Sequence, residues 1–283
     1  MIAVSIDGLL VAPEHAVVSV FDRGFLYGDG VFEVFRTWDE VPVDLDAHLS
    51  RLHASAALLG IKSLDKERAA DAVKRTLANS GPDEKRVRVV LTRGPGALVA
   101  RRESLGPGRT IVIVEPLPAQ PTEVSLALVD WPLPRRTGPA HKTLAYLDQL
   151  LARELAVAAG DDEAARLGAD GDVVECATAN LFIVTAGAVA TPPVELGILP
   201  GVTRARVLAA CAAAGITAQP RRIAPQELYA ADEVFVTSAV RGVVPVTRLD
   251  GSARAAGPVT RRIVEGYLVA MQQQPTGGSS DPI

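Results

Sequence analysis

Four features of this chain combine a reactive side chain with a local sequence that would hold it in place. Lys142 follows a loop rich in proline and glycine, PLPRRTGPAHK, and opens the amphipathic stretch LAYLDQLLARELAVAAG. An amine fixed at such a junction and partly stripped of water attacks carbonyl carbons, although a solvated lysine at a helix start has the same local sequence. Glu175 stands in an otherwise apolar run with Val173 and Val174, where a carboxylate is costly unless something pairs with it. Pro200-Gly201-Val202-Thr203 reads as a turn, then backbone amides at a helix N-terminus, then a hydroxyl, which is an arrangement that binds anions. Arg51 lies off the apolar stripe of its own helix, and a guanidinium fork there fits two oxygens of an anion.

These groups must be carried by elements, and the chain alternates strands and helices. Ile2 to Ile6, with the turn Asp7-Gly8, reads as a strand entering a hairpin, and Val31 to Thr37 as a second strand. Between them FDRGFLYGDG has three glycines, which permit tight backbone turns. Asp46 opens a helix with Leu49, Leu52, Ala56 and Leu59 on one face and Gly60 at its end, and a second helix runs from about Leu64 to Asn79. Val87 to Leu91 and Ile111 to Val114 are strands, and the Gly, Pro and Arg-rich stretch between them is expected to be a mobile loop. PLPAQP at 116 to 121 is the linker candidate, which divides the chain into 1–118 and 119–272. In the second part, Ser125 to Trp131 reads as a strand and the helix expected to start at Lys142 follows. Asp172 to Ala190 is a hairpin, Val202 to Ala214 a helix, Asp232 to Ala239 a strand and Val259 to Gln272 a closing helix. The tail 273–283 is polar and is expected to be disordered.

Composition narrows the class. With 29 Lys and Arg against 33 Asp and Glu, the chain offers no basic footprint for nucleic acid or an anionic membrane. Two cysteines, Cys176 and Cys211, form no CxxC pair; they imply neither a disulfide framework nor a metal site, and read as buried fillers in a reducing, cytoplasmic setting. The first residues show neither the charged start nor the apolar run of a signal peptide, and no window is apolar for long enough to span a membrane.

Taken in order, six segments resemble the class IV aminotransferase family: DRGFLYGDGVFEVFR at 22–36, HLSRLHASA at 48–56, HKTLAYL at 141–147, VVECATANLF at 173–182, GILPGVTR at 197–204 and DEVFVTSAVRGVVPV at 232–246. The resemblance implies an α/β (α+β) fold of type IV, with a small N-terminal α/β domain and a larger C-terminal pseudo-barrel domain clasping pyridoxal 5'-phosphate (PLP). It gives Lys142 the Schiff base and Glu175 the pyridine nitrogen, with Asn180 bracing the backbone nearby. Arg51, Val202, Thr203, Ser238 and Ala239 receive the phosphate. Ala239 stands where some relatives have a threonine, so one side-chain donor is missing there. Tyr146, four residues after Lys142, falls one helical turn away and is placed on the cofactor's phenolic oxygen. Branched-chain relatives have their tyrosine one residue later. His141 reads as a loop histidine. Phe25 and Tyr27 are expected to line the substrate pocket near the junction of a homodimer.

The substrate is less legible. D-amino acid aminotransferases of this family bind the α-carboxylate with an Arg-x-His pair shortly after a strand-ending Arg-Gly. Here Arg93-Gly94 is followed by Leu98 and Ala100 at the matching positions, so that trap is absent, and Arg241, Arg101 or Arg102 remain as replacements. The expected activity is transfer of an amino group from a D-amino acid or (R)-amine to a 2-oxo acid. The alternatives are a branched-chain L-amino acid aminotransferase and, from the ECATANLF segment, a lyase releasing pyruvate and p-aminobenzoate from 4-amino-4-deoxychorismate.

Overall fold

The computed structural model describes residues 1–62, 65–97, 106–133 and 140–272, so the expectations for Leu98, Ala100, Arg101, Arg102 and the tail lie outside the described residues. The chain forms two compact units. The first comprises Met1–Ala119 with the short segment His141–Tyr146; the second comprises Gln120–Ala140 and Leu147–Gln272. A second domain running unbroken from 119 does not allow for that excursion.

The first unit contains β1 (Ala3–Ile6), β2 (Leu9–Val11), α1 (Arg23–Tyr27), β3 (Gly30–Trp38), β4 (Val41–Pro42), α2 (Leu45–Leu58), α3 (Lys66–Ala78), β5 (Lys85–Thr92) and β6 (Arg109–Pro116). Its strands form one antiparallel sheet in the order β2-β1-β6-β5-β3-β4. β3 alternates as a half-covered strand should: Val31, Glu33, Phe35 and Thr37 share one face and are all buried. α2 and α3 cover that face with Leu49, Leu52, Ala56, Ala69, Ala72 and Val73. The α2 register follows the apolar stripe read from the sequence. α1 is an addition to the elements expected from the sequence; Asp22 caps it by accepting a hydrogen bond from Gly24 N at 2.7 Å.

The second unit contains β7 (Val124–Leu128), α4 (Leu147–Ala158), β8 (Glu163–Leu167), β9 (Val173–Cys176), β10 (Asn180–Thr185), β11 (Ala188–Thr191), α5 (Val202–Ala213), β12 (Ala218–Pro220), α6 (Pro225–Ala230), β13 (Glu233–Ser238), β14 (Gly242–Leu249), β15 (Ser252–Ala253) and α7 (Pro258–Gln272). Strands β10, β13, β14, β7, β8 and β9 follow one another around a ring, and the pairing of Asn180 with Glu175 closes it into a barrel. Leu126, Val173, Leu181, Ile183, Val236 and Val246 pack its interior cluster. The segment expected to be one hairpin is therefore three strands, β9 to β11. No helix among the described residues is long and apolar enough to cross a membrane.

The largest local departure concerns Lys142. α4 begins at Leu147, five residues later than expected. Residues 142–144 are extended because their backbone is taken by β3: Phe32 N donates to Lys142 O at 2.8 Å, and Leu144 N donates to Gly30 O at 2.9 Å. Tyr146 therefore does not sit one helical turn from Lys142.

Candidate active site

Lys142 is set in the first unit as an added edge residue on β3. Two glycines make room for it. A Cβ on Gly28 would lie 2.8 Å from Ala145 N, and one on Gly30 would lie 2.5 Å from Leu144 Cδ1 and 2.6 Å from Leu91 O. Gly28 also has φ of 65°, which a side chain disfavours. With the backbone fixed, Lys142 Nζ stands 4.7 Å from the ring centre of Phe32 and 5.1 Å from that of Tyr146. The two rings meet edge to face at 5.3 Å. Tyr146 thus reaches the lysine through an extended segment, not through a helix face.

Arg51 extends from α2 to β3. Its Nε and Nη2 each donate to a different oxygen of Glu33 at 2.7 Å, a two-point contact. His48 Nδ1 lies 2.8 Å from Glu33 Oε2 on the other side. Burial pushes the Glu33 carboxyl up, but hydrogen bonds from His48 and Arg51 outweigh it and leave the carboxyl below its ordinary value. One turn further along α2, Ser55 Oγ is 3.2 Å from His141 Nδ1, so the histidine beside Lys142 has a defined partner. Arg88 of β5 lies with its guanidinium carbon 4.6 Å from the centre of the same Phe32 ring. Burial above all, and the neighbouring Arg86, lower its pKa against the opposing pull of Glu115 and Tyr146.

In the second unit, Glu175 and Asn180 face each other across the seam that closes the barrel. Asn180 Nδ2 donates to Glu175 Oε2 at 3.2 Å and to Leu199 O at 3.0 Å, while Leu199 N donates to Glu175 Oε2 at 3.0 Å. This binds the seam to the turn leading into α5. Gly201 is the N-cap residue and its helix has no side-chain cap; a Cβ there would collide with Asn180 Oδ1. The first amides of α5, at Val202 and Thr203, therefore begin a helix whose end is uncapped by any side chain. Arg204 fastens this turn by donating to Pro192 O at 2.9 Å and Thr191 Oγ1 at 3.3 Å.

Ser238 ends β13, and the turn through Ala239 and Arg241 returns the chain to β14. Arg241 does not present an unengaged fork. Its Nη2 donates to Glu163 Oε2 at 2.7 Å and to Thr178 Oγ1 at 2.9 Å, and its Nε to Ser238 Oγ at 3.3 Å. The arginine is engaged inside the unit. Phe25 and Tyr27 are exposed on α1, by 69% and 52%, and Arg23 stacks on Tyr27 at 4.8 Å. Cys176 and Cys211 are buried thiols whose pKa burial pushes up.

With this geometry in hand, comparison with known proteins is decisive. The Amino-transferase class IV family profile matches residues 30–249. The chain is a class IV aminotransferase. A putative branched-chain-amino-acid aminotransferase of Methanocaldococcus jannaschii is 37% identical over 93% of this chain and 94% of its own length. A D-alanine aminotransferase of Bacillus licheniformis is 31% identical over 91% and 93% respectively. Among solved structures, a branched-chain amino acid aminotransferase of T.th. with pyridoxamine 5'-phosphate superposes with a TM-score of 0.88 at 29% identity, covering 96% of this chain and 95% of that one.

Class IV aminotransferases are PLP enzymes, and this aminotransferase has the groups such a cofactor needs. An amine held against aromatic faces, an uncapped helix N-terminus kept open by Gly201 and a carboxylate fixed by Asn180 are each present. Three residues of the aminotransferase escaped the sequence reading. Glu33 was a signal in plain view, since it interrupts the apolar run of VFEVF. Arg88 gives a weaker cue, because Arg86-Val87-Arg88-Val89 alternates regularly and an arginine there reads as the solvent side of a strand. Glu163 lies in an alanine-rich run that gives no cue.

Proposed function

We propose that this enzyme moves an amino group between an amino acid with an apolar side chain and a 2-oxo acid, on PLP linked to Lys142. The observation that carries the reading is the placement of the Lys142 amine, 4.7 Å from Phe32 and 5.1 Å from Tyr146 on a backbone pinned to β3. A restrained amine addresses one carbon atom and moves a proton at one α-carbon, which is what transamination asks of it. When bound, PLP supplies the electron sink for that α-carbon. Glu175 keeps the pyridine nitrogen protonated, and Asn180 and Leu199 N orient the carboxylate for it. Val202 and Thr203 give backbone amides to the phosphate, supported by Ser238, Ala239 and Arg51, while Tyr146 donates to the phenolic oxygen. Glu33 holds Arg51 in one orientation, so the guanidinium is set before the anion arrives.

Arg88 takes the place of the absent Arg-x-His pair as the group for a substrate carboxylate. A half-buried guanidinium that burial destabilises, beside the same ring as Lys142, is relieved by an anion. The relative at 37% identity and the apolar Leu98 and Ala100 favour a branched-chain L-amino acid donor. The D-alanine aminotransferase relative supports the second reading, a D-amino acid or (R)-amine donor. A second copy of the chain covers the exposed run of Val17, Val18, Val20, Phe21, Phe25 and Tyr27, giving a homodimer in which Phe25 and Tyr27 serve the substrate pocket. Light scattering showing a fully active monomer would refute that assembly.

The test of function is a half-reaction followed by absorbance, with L-leucine, D-alanine, D-glutamate and (R)-1-phenylethylamine offered singly. Conversion to the pyridoxamine form with L-leucine alone supports the first reading, and conversion with a D-amino acid or (R)-amine supports the second. No conversion with any donor, together with p-aminobenzoate release from 4-amino-4-deoxychorismate, replaces both with the lyase.

A further inference from the structure

We propose that Glu163 is a positioning residue of this active site, setting the spacing between the Glu175–Asn180 link and the Ser238–Arg241 turn. The inference rests on the reading above, in which Glu175 and the Ser238–Ala239 pair serve the cofactor. Glu163 is 0% exposed on β8 of the second unit. It accepts from Arg241 Nη2 at 2.7 Å, from Thr178 N and Ala164 N at 3.2 Å each, and from the Thr178 hydroxyl.

The placement of its two partners gives this cluster its meaning. Thr178 is the middle residue of the short connection from β9 to β10, with Glu175 on one side and Asn180 on the other. Arg241 closes the turn from β13 to β14 and holds Ser238 Oγ through its backbone N and its Nε, both at 3.3 Å. It also reaches the Thr178 hydroxyl at 2.9 Å. One carboxylate therefore ties together two loops that carry different cofactor contacts. The far end of the turn is fixed independently: Gly242 has φ of 75°, and a Cβ there would lie 2.9 Å from Tyr267 Cε1. Held at Gly242 by packing and at Arg241 by charge, the turn has one arrangement.

A buried ion pair is a poor device for stability alone, because well-packed apolar groups of similar volume commonly do as well or better. What it gives is fixed geometry, since the charge-assisted hydrogen bond from Arg241 and the bonds from Thr178 and Ala164 together leave the carboxylate one arrangement. Glu163 also neutralises Arg241, so the turn meets the cofactor through neutral donors rather than through a second guanidinium.

The experiment uses PLP-loaded enzyme carrying Glu163→Gln, Arg241→Gln, both together, Thr178→Val and Thr178→Ser. The PLP dissociation constant, the pH midpoint of the cofactor's visible absorbance and the melting temperature are read for each. Glu163→Gln and Arg241→Gln are each expected to weaken PLP about tenfold and to move the absorbance midpoint, while the double variant is no worse than the weaker single, because one coupling is lost once. Thr178→Val shows the same signature to a smaller degree, and Thr178→Ser, which keeps the hydroxyl, restores wild-type values. A lower melting temperature with unchanged PLP affinity and absorbance midpoint, or additive losses in the double variant, would overturn the proposal. Should Glu163→Gln fail to fold, unchanged PLP properties in Arg241→Gln and Thr178→Val would overturn it equally. Wild-type enzyme that develops no visible PLP band, or a Lys142→Ala variant that keeps it, is a different failure and removes the functional reading itself.

Discussion

The first unit immobilises its functional groups from behind, and the second by closing a ring. In the first, the sheet is open and wholly antiparallel, and the edge of β3 is free to accept residues 142–144 as an extra pairing. Arg51 is then held by a buried carboxylate on the opposite face of the same strand. In the second unit the strands close on themselves, and the two residues at the closure, Glu175 and Asn180, are ones proposed above to serve the cofactor. A charged pair positions Arg51 in the first unit, and hydrogen bonds along the closing seam position Glu175 in the second. The difference predicts different failures: charge removal damages the Arg51 device, and loss of shape damages the seam.

The largest effect separates chemistry from positioning altogether. Lys142→Ala leaves the backbone pairing of residues 142–144 to β3 in place, because Phe32 N and Leu144 N bind main-chain oxygens. Transaminase turnover is expected to fall by about 10²–10⁴-fold or more from the loss of the proton-moving group alone, with the visible cofactor band lost and circular dichroism unchanged. A melted first unit would show that the side chain, not the edge pairing, holds the segment.

Next comes Glu33→Gln, which attacks the charged device. Removing one partner of a buried pair costs about 3–5 kcal/mol, because the remaining charge loses its compensation. Glu33 is 1% exposed and Arg51 15%, so Arg51 keeps some hydration and the lower end of that range is expected. The pH dependence follows from the lowered carboxyl pKa. The Glu33 contribution is complete above the ordinary value of 4.5 and is lost as pH falls through the lower folded value. Urea unfolding of both proteins should therefore show a gap that is constant near neutrality and closes below that ordinary value. A gap that persists in acid would assign the effect to shape instead of charge.

What the sequence revealed follows the same division. Elements set by local pattern were read closely: α5 spans Val202–Ala213 where Val202 to Ala214 was expected, and α7 spans Pro258–Gln272 against Val259 to Gln272. Glu175 and Asn180 were visible as a motif because ring closure pairs residues five apart in sequence, and Gly201 and Thr203 because a turn entering a helix is local. The extended state of residues 142–144 was invisible, since it depends on an edge of β3 more than a hundred residues upstream. The apolar period of LAYLDQLLARELAVAAG was therefore continued back to Lys142 when the helix starts only at Leu147. β8 escaped for a related reason: EAARL is alanine-rich and has little strand propensity, and its place between β7 and β9 makes it a strand.

A smaller effect tests the seam. Asn180→Ala leaves Leu199 O without its side-chain donor and removes a donor from Glu175, at about 1–3 kcal/mol for a buried group left unsatisfied. Gly201→Ala drives a Cβ into the Asn180 carboxamide. Both should weaken PLP, measured by equilibrium dialysis. The sharper expectation is that the double variant binds PLP better than Gly201→Ala alone, because removing the carboxamide removes the clash. Additive losses would mean that the two residues act separately and that the seam is not one device.

The smallest effect calibrates the first unit. Asp65 caps α3 by accepting from Arg68 N at 2.8 Å, and Asp65→Ala should cost about 1 kcal/mol of stability. α3 packs on β1 and β6 and carries none of the groups assigned to the cofactor. PLP affinity and the absorbance midpoint should therefore stay at wild-type values while urea stability falls. Glu33→Gln must change both. If Asp65→Ala also loosens PLP, any loss of stability in the first unit reaches the site, and the Glu33 effect carries no special message about Arg51. If it does not, the Glu33 carboxylate acts on the cofactor through the guanidinium it holds, and the charged device of the first unit is a positioning device in its own right.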